Sequence, residues 1–150
     1  MTRLSPLGPT LAVAVSSRAT PHPAAAPEPG ARLEVRPLMQ QFLALFYERR
    51  QVRAAFESCV ARRGFRDHDP ARPGGRQAAI GLLSGKLADP AFEVQVERLE
   101  IDGDRATVHA RVRDGGDWAL RLDTYRVTDG RIVEHWPGRP VAQVESRTTT

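Results

Sequence analysis

Two stretches of this chain gather side chains that can move protons. Leu122–Trp136, LDTYRVTDGRIVEHW, carries Asp123, Tyr125, Glu134 and His135, and Phe65–Pro70, FRDHDP, carries His68. A carboxylate held beside an imidazole can take a proton from one position of a small molecule and return it at another. That chemistry needs the carboxylate on the wall of a pocket, so the elements that place Asp123 and the histidines decide the matter. Cys59 is the only cysteine. It falls in an apolar stripe with nothing nearby to lower its pKa, and reads as a small core residue.

Helices come first in the chain. Val35, Leu38, Met39, Phe42 and Phe46 recur at helical spacing, and Tyr47–Gln51, YERRQ, breaks that face. A second stripe, Val52, Ala55, Phe56, Cys59 and Val60, ends near Gly64. A third helix is expected over 76–88 with Ala79, Ile80, Leu83 and Leu87 on its buried face. After Pro90 the apolar period becomes 2. Four strands are expected, about 92–101, 105–113, 118–127 and 132–136, joined at Asp102-Gly103, at DGGD (114–117) and at Asp129-Gly130. In the first strand the apolar phase slips between Val96 and Leu99, as a β-bulge produces, and bulges bend sheets. Helices followed by an antiparallel meander make an α+β fold, with a curved sheet over three helices and a pocket between the layers.

Hairpin geometry sorts the side chains by face. If DGGD closes symmetrically, Val108 stands opposite Asp123, and opposed residues point the same way. One face then holds Ala106, Val108, Ala110 and Val112 with Arg121, Asp123 and Tyr125, which leaves room for a ligand around one carboxylate. Desolvation on that face is expected to raise the Asp123 pKa and suit it to proton transfer. The competing reading is a carboxylate paired with Arg121, two residues away on the same side. The opposite face carries His109, Arg111, Trp118, Leu120 and Leu122, an aromatic centre with a polar rim that suits subunit contact. The last strand has two registers open to it. A two-residue loop at Asp129-Gly130 pairs Asp123 with Trp136 and Tyr125 with Glu134, whereas a three-residue loop with a glycine bulge sets His135 opposite Asp123. His135 and Trp136 are therefore alternatives for the pocket. His68, on the residues alone, reads as a loop histidine that holds a turn or caps the next helix.

The totals set the bounds. A chain of 150 residues supports one domain with a real core. A formal charge of +4 could suggest nucleic acid, but the arginines are scattered among acids and Lys86 is the only lysine, so no basic stripe forms and no nucleic-acid partner is expected. No apolar run approaches the roughly 20 residues of a membrane span. No Cys/His cluster has zinc spacing, so no metal is expected. Residues 1–31, rich in Pro, Ala, Ser and Thr, read as a disordered tail or a weak secretory leader, and 141–150 as a flexible C-terminal tail. The domain proper spans 32–140. A cytoplasmic location is expected, or an exported one if residues 1–26 act as a leader.

FRDHDP, Gly74–Ala78 (GGRQA) and LDTYRVTDGRIVEHW, in this helices-then-strands order, resemble the SnoaL-like polyketide cyclase group of the nuclear transport factor 2-like (NTF2-like) superfamily. The resemblance covers about residues 34–137. It implies a conical α+β barrel with three N-terminal helices on a curved, mostly antiparallel sheet, often dimeric through the outer face of the sheet. It also implies a hydrophobic pocket for a small, polyketide-like molecule, and acid/base chemistry (aldol-type cyclisation, isomerisation or dehydration) without metal or cofactor. His68 falls in the histidine position of the family's aromatic-x-x-His-Asn-Pro segment. In this reading Asp123 is the base and His135 or His68 its partner. Phe65, Tyr125 and Trp136 form apolar walls, with Tyr125 a candidate oxyanion donor and Glu134 a candidate third carboxylate. The chain departs from the pattern at Asp69, where the family has Asn, and after Trp136, where Pro137–Pro140 replaces an aspartate followed by a glutamine. The alternative is a non-catalytic small-molecule-binding module of the same fold. A buried Asp123 on a cavity with a histidine in reach favours the enzyme, and an Asp123 locked to Arg121 with no open volume favours the binder.

Overall fold

The apolar stripe from Val35 folds as helix α1 (Ala31–Leu43) in a computed structural model that describes residues 31–142, with side chains from Val35 onward. The expected N-terminal tail or leader, and the C-terminal tail from residue 143, lie outside the described residues. After α1 the chain widens into a π-helical turn, Ala44–Glu48. Closing at i+5 instead of i+4 adds a residue to the turn. Both Phe46 and its neighbour Tyr47 are thereby buried, where the helical stripe accommodates only Phe46. Helix α2 (Val52–Cys59) buries Val52, Ala55, Phe56 and Cys59. Helix α3 (Arg76–Ala88) buries Ala79, Ile80 and Leu87, with Leu83 packed at the edge of the core. Phe42 centres the aromatic core, its ring 5.1 Å from Phe46 and 5.3 Å from Tyr125. Among the described residues no helix is long and apolar enough to cross a membrane.

The strands are β1 (Arg66–Asp67), β2 (Phe92–Asp102), β3 (Arg105–Asp114), β4 (Ala119–Thr128), β5 (Arg131–Trp136) and β6 (Val141–Ala142). They form one open sheet in the order β1-β5-β4-β3-β2, with β6 on the first residues of β4. All pairs are antiparallel except β1 with β5. The expected α+β architecture is therefore present, with α1 packed across β2, β3 and β4 and α3 against β2. Two short strands were not expected: β1, inside FRDHDP, and β6, inside the stretch read as a tail.

Three details of register position the site. The phase slip in β2 is a bulge at Glu97, since Val96 pairs with Ala110 and Arg98 with His109. The DGGD turn closes symmetrically and sets Val108 opposite Asp123. Asp129-Gly130 is a two-residue turn with both residues at positive φ, 50° and 67°, as a type I′ hairpin requires. Neither register considered for β5 is adopted. Pairing starts as Thr128 with Arg131 and Val127 with Ile132, then Val133 bulges and Tyr125 comes to face His135. One inserted residue reverses the faces of everything after it. His135 therefore points to the helices, and Trp136 points away.

Candidate active site

Between the helices and the inner face of the sheet lies a cavity of about 380 Å³, and Asp123 is on its wall. Asp123 and His135 are buried, 3% and 6% exposed, and the Asp67 side chain is 1% exposed. The two oxygens of Asp123 are unequally engaged. Oδ1 accepts from Arg121 Nε at 3.0 Å and from the Gly138 amide at 3.1 Å, and meets His135 Nε2 at 3.3 Å. Oδ2 has one partner, the Tyr47 hydroxyl at 3.4 Å, which in turn lies 2.8 Å from the Tyr125 hydroxyl. Gly138 reaches Oδ1 because its backbone runs against that of Leu122, where any Cβ would collide with the Leu122 carbonyl. The segment after Trp136, which departs from the family pattern, thus supplies a main-chain donor to the carboxylate.

His135 bridges two carboxylates. Its Nδ1 lies 3.1 Å from Asp67 Oδ1, opposite the contact to Asp123. Asp67 is carried in by β1, whose parallel pairing sets Asp67 beside His135. Its Oδ2 accepts from Arg72 Nε at 2.8 Å and its Oδ1 from the Asp69 amide at 3.0 Å, while Arg72 Nη2 reaches Asp69 Oδ2 at 3.1 Å. With an acceptor at each ring nitrogen, only the imidazolium donates to both. The Tyr125 ring stacks on it at 4.7 Å.

This network sets the protonation states. Burial opposes ionisation of Asp123, but the hydrogen bond from His135, the Arg121 charge and the Gly138 amide together outweigh it and hold its pKa below the ordinary value. The expectation of a raised Asp123 pKa is therefore corrected: desolvation is present, and its neighbours overcome it. Burial likewise opposes the His135 cation, and the Asp123 and Asp67 carboxylates reverse the sign and raise its pKa. Asp67 is lowered in the same way, burial being outweighed by His135 and Arg72. Burial first, then neighbouring Tyr125 and Asp123, raises Tyr47, and burial and Asp123 raise Tyr125, so both phenols stay neutral donors. Cys59 is fully buried, and burial pushes its thiol up to about 11, in keeping with a core residue.

The shifts predict a stability window. The lowered Asp67 and Asp123 stabilise the fold above the unfolded carboxylate pKa near ~3.9, and that contribution is lost as pH falls through their folded values. The raised His135 stabilises the fold below the unfolded imidazole pKa near ~6.5, and its contribution is lost as pH rises through the folded value. The melting temperature should therefore be highest between about pH 4 and 6.5 and fall on both sides. In Asp67→Asn the alkaline slope should shrink, and the His135 Cε1 proton should titrate at lower pH by NMR. An unchanged titration would remove Asp67 from the network.

Of the residues singled out from the sequence, Asp123, His135, Tyr125 and Phe65 line the cavity. His68, Glu134 and Trp136 do not, and their placement in the pocket is corrected. Alternation along β5 turns His135 in and Glu134 and Trp136 out, while β1 carries Asp67 in and His68, just past its end, meets Glu134 and Trp136 on the outer side. On the outer side His68 Nε2 meets Glu134 Oε1 at 2.8 Å, Glu134 Oε2 accepts from Arg126 Nε at 2.8 Å, and the His68 ring stacks on Trp136 at 5.0 Å. Hydrogen bonds from His68 and Arg126 keep the Glu134 pKa below its usual value. His109 also lies on the outer face, 3.0 Å from Glu100. Tyr47, Asp67, Arg72 and Gly138 are site residues that sequence reasoning missed. Among the described residues no group of three His, Cys, Asp or Glu side chains is arranged to hold a metal ion.

No family model and no curated protein matches the chain. Solved structures do. An NTF2-like protein of unknown function from Mesorhizobium loti is 26% identical, with a TM-score of 0.58 over 74% of this chain and 92% of its own. A candidate polyketide cyclase from Bacillus cereus is 22% identical, with a TM-score of 0.54 over 69% of this chain and 72% of its own. A candidate ketosteroid isomerase from Kribbella flavida is 18% identical, with a TM-score of 0.56 over 79% of this chain and 90% of its own. The resemblance to SnoaL-like, NTF2-like proteins is borne out by these matches as a likeness of fold.

Proposed function

Starting from an NTF2-like fold built around this site, we propose that the protein is a small-molecule enzyme that moves a proton next to a carbonyl, with Asp123 as base. The observation that carries this reading is the asymmetry of the Asp123 carboxylate. Asp123 lines the cavity, with Oδ1 fixed by three groups and Oδ2 held only by a long bond from Tyr47. Oδ2 takes the proton, and the electrons of the C–H bond move onto the carbonyl oxygen. The enolate carbon then attacks a second carbonyl, closing a ring and leaving an alkoxide that takes the proton back from the Asp123 acid, or the enolate is reprotonated by that acid at another carbon of the conjugated system. A carboxylate of lowered pKa is a weak base, so the C–H must be acidified by a second carbonyl or an aromatic ring. These steps use protein side chains alone. The apolar wall of Phe42, Phe46, Phe56 and Phe65 suits a hydrophobic ring system.

The experiment is solvent deuterium exchange at C1 of 2-tetralone, a ketone acidified by its ring and small enough for the cavity. Catalysed exchange above the buffer rate is expected. Its absence for this and other activated aryl ketones would favour the non-catalytic binding module. We also propose a homodimer through the outer face, where Leu122 and Val141 are 41% and 64% exposed and Trp118 lies between Arg111 and Arg113. Light scattering should find a dimer that Leu122→Asp converts to a monomer. A monomeric wild-type protein would refute it.

A further inference from the structure

Resting on the proton-transfer reading, we propose that Arg121 is the oxyanion-binding residue of the cavity, so that the molecule taken there presents an ionisable carbonyl, enol or phenol oxygen. Arg121 stands on the inner face of β4 opposite Ala110, whose methyl group leaves space in front of it. Its side chain lines the cavity and is 23% exposed. A guanidinium has five N–H donors in a planar fork. One, at Nε, goes to Asp123, and among the described residues neither Nη meets an acceptor.

The tyrosine and histidine donors of the site are engaged, and the other two cations are committed to carboxylates. The Tyr125 and Tyr47 hydroxyls share one hydrogen bond, and Tyr47 continues to Asp123. Both nitrogens of His135 face carboxylates, and Arg72 is bound to Asp67 and Asp69. Lys86 is paired with Asp114 and lies over the Phe92 ring. The oxyanion role considered for Tyr125 thus passes to the cation beside it. With Lys86 neutralised by Asp114, the three lining carboxylates (Asp67, Asp69, Asp123) balance the three remaining cations (Arg72, Arg121, protonated His135), so a neutral ligand enters without a charge penalty. The negative charge that develops when it loses a proton falls beside the Arg121 guanidinium, whose Nη donors meet no acceptor among the described residues. Arg121 is also two residues from Asp123 on the same face, so one carbonyl unit can present its oxygen to the first and its C–H to the second.

The test uses 4-nitrophenol, whose ionised form is followed by its absorbance, titrated into the full-length protein near the pKa of the free dye. The wild-type protein should bind the phenolate in preference to the phenol. Arg121→Gln should weaken phenolate binding about 10- to 100-fold, the scale of a lost charge-assisted hydrogen bond, and leave the neutral phenol within about 3-fold. Arg121→Lys keeps the charge without the fork and should lose about 10-fold, which also serves if the glutamine variant fails to fold. Asp123→Asn should act in the opposite direction and tighten phenolate binding by removing a like charge. The proposal is overturned if the wild type prefers the phenol or binds neither form, if Arg121→Gln binds phenolate as wild type does, or if Lys86→Met is the variant that loses it. Phenolate binding that depends on Arg121, together with no exchange on any ketone, would refute the proton-transfer reading and keep the oxyanion site.

Discussion

Asp123→Asn should leave a folded protein whose deuterium exchange on 2-tetralone has fallen at least about 100-fold, the scale of a lost general base. The substitution is selective because of how the carboxylate is held. An amide oxygen in the place of Oδ1 still accepts from Arg121, Gly138 and His135. The amide nitrogen then replaces Oδ2, turning the one lightly held oxygen from an acceptor of the substrate proton into a donor. Losing the charge removes one of the two carboxylates that raise His135, so the imidazolium should titrate at lower pH, and NMR can read this independently of turnover. Glu134→Gln is the matched control: a carboxylate of the same stretch, on the outer face, with an expected effect below about 2-fold. Full exchange in Asp123→Asn would take Asp123 out of the mechanism. Loss in Glu134→Gln would show that the outer face matters to the chemistry.

What could be read from the sequence, and what could not, divides along physical lines. The stripes of α2 and α3, the bulge at Glu97 and the symmetric closure at DGGD depend on local spacing, and each appears where the pattern puts it. Asp123 and Tyr125 follow from that closure. Tyr47 was hidden because a π-helical turn has no signature in a 3.6-residue stripe, so the residue that interrupts the stripe is the one swung into the site. Asp67 was hidden because β1 pairs in parallel with a strand nearly 70 residues away, and two residues show no period. His68 occupies the family's histidine position, yet β1 sets its neighbour Asp67 beside His135 in the pocket and leaves His68 with Glu134 outside. The sign of the Asp123 pKa shift turned on how many partners meet the carboxylate at once: desolvation points it up, and His135, Arg121 and the Gly138 amide together point it down.

Gly138→Ala should be the most damaging methyl group added to the fold. Glycine is needed there for proximity, since Gly138 is not among the residues held at positive φ. A Cβ at this position would meet the main chain of Leu122, its carbonyl oxygen, carbon and nitrogen alike, and a backbone in mid-sheet cannot turn aside as a flexible side chain can. The strain must be relieved by lifting the 137–140 segment from β4. That withdraws the amide from Asp123 Oδ1 and loosens the pairing of β6 with Ala119 and Leu120. Overpacking of this kind costs about 1–3 kcal/mol. Adding the lost hydrogen bond to a buried carboxylate, the melting temperature should fall by roughly 10 °C. Gly116→Ala, with nothing within 4 Å of its Cβ, should shift it by less than about 2 °C. The Asp123 pKa should also rise in Gly138→Ala, since burial remains while one of the bonds that opposes it is gone. A variant as stable as wild type would mean that the 137–140 segment is not held against Leu122 in solution. The amide would then have no part in holding Asp123 ionised.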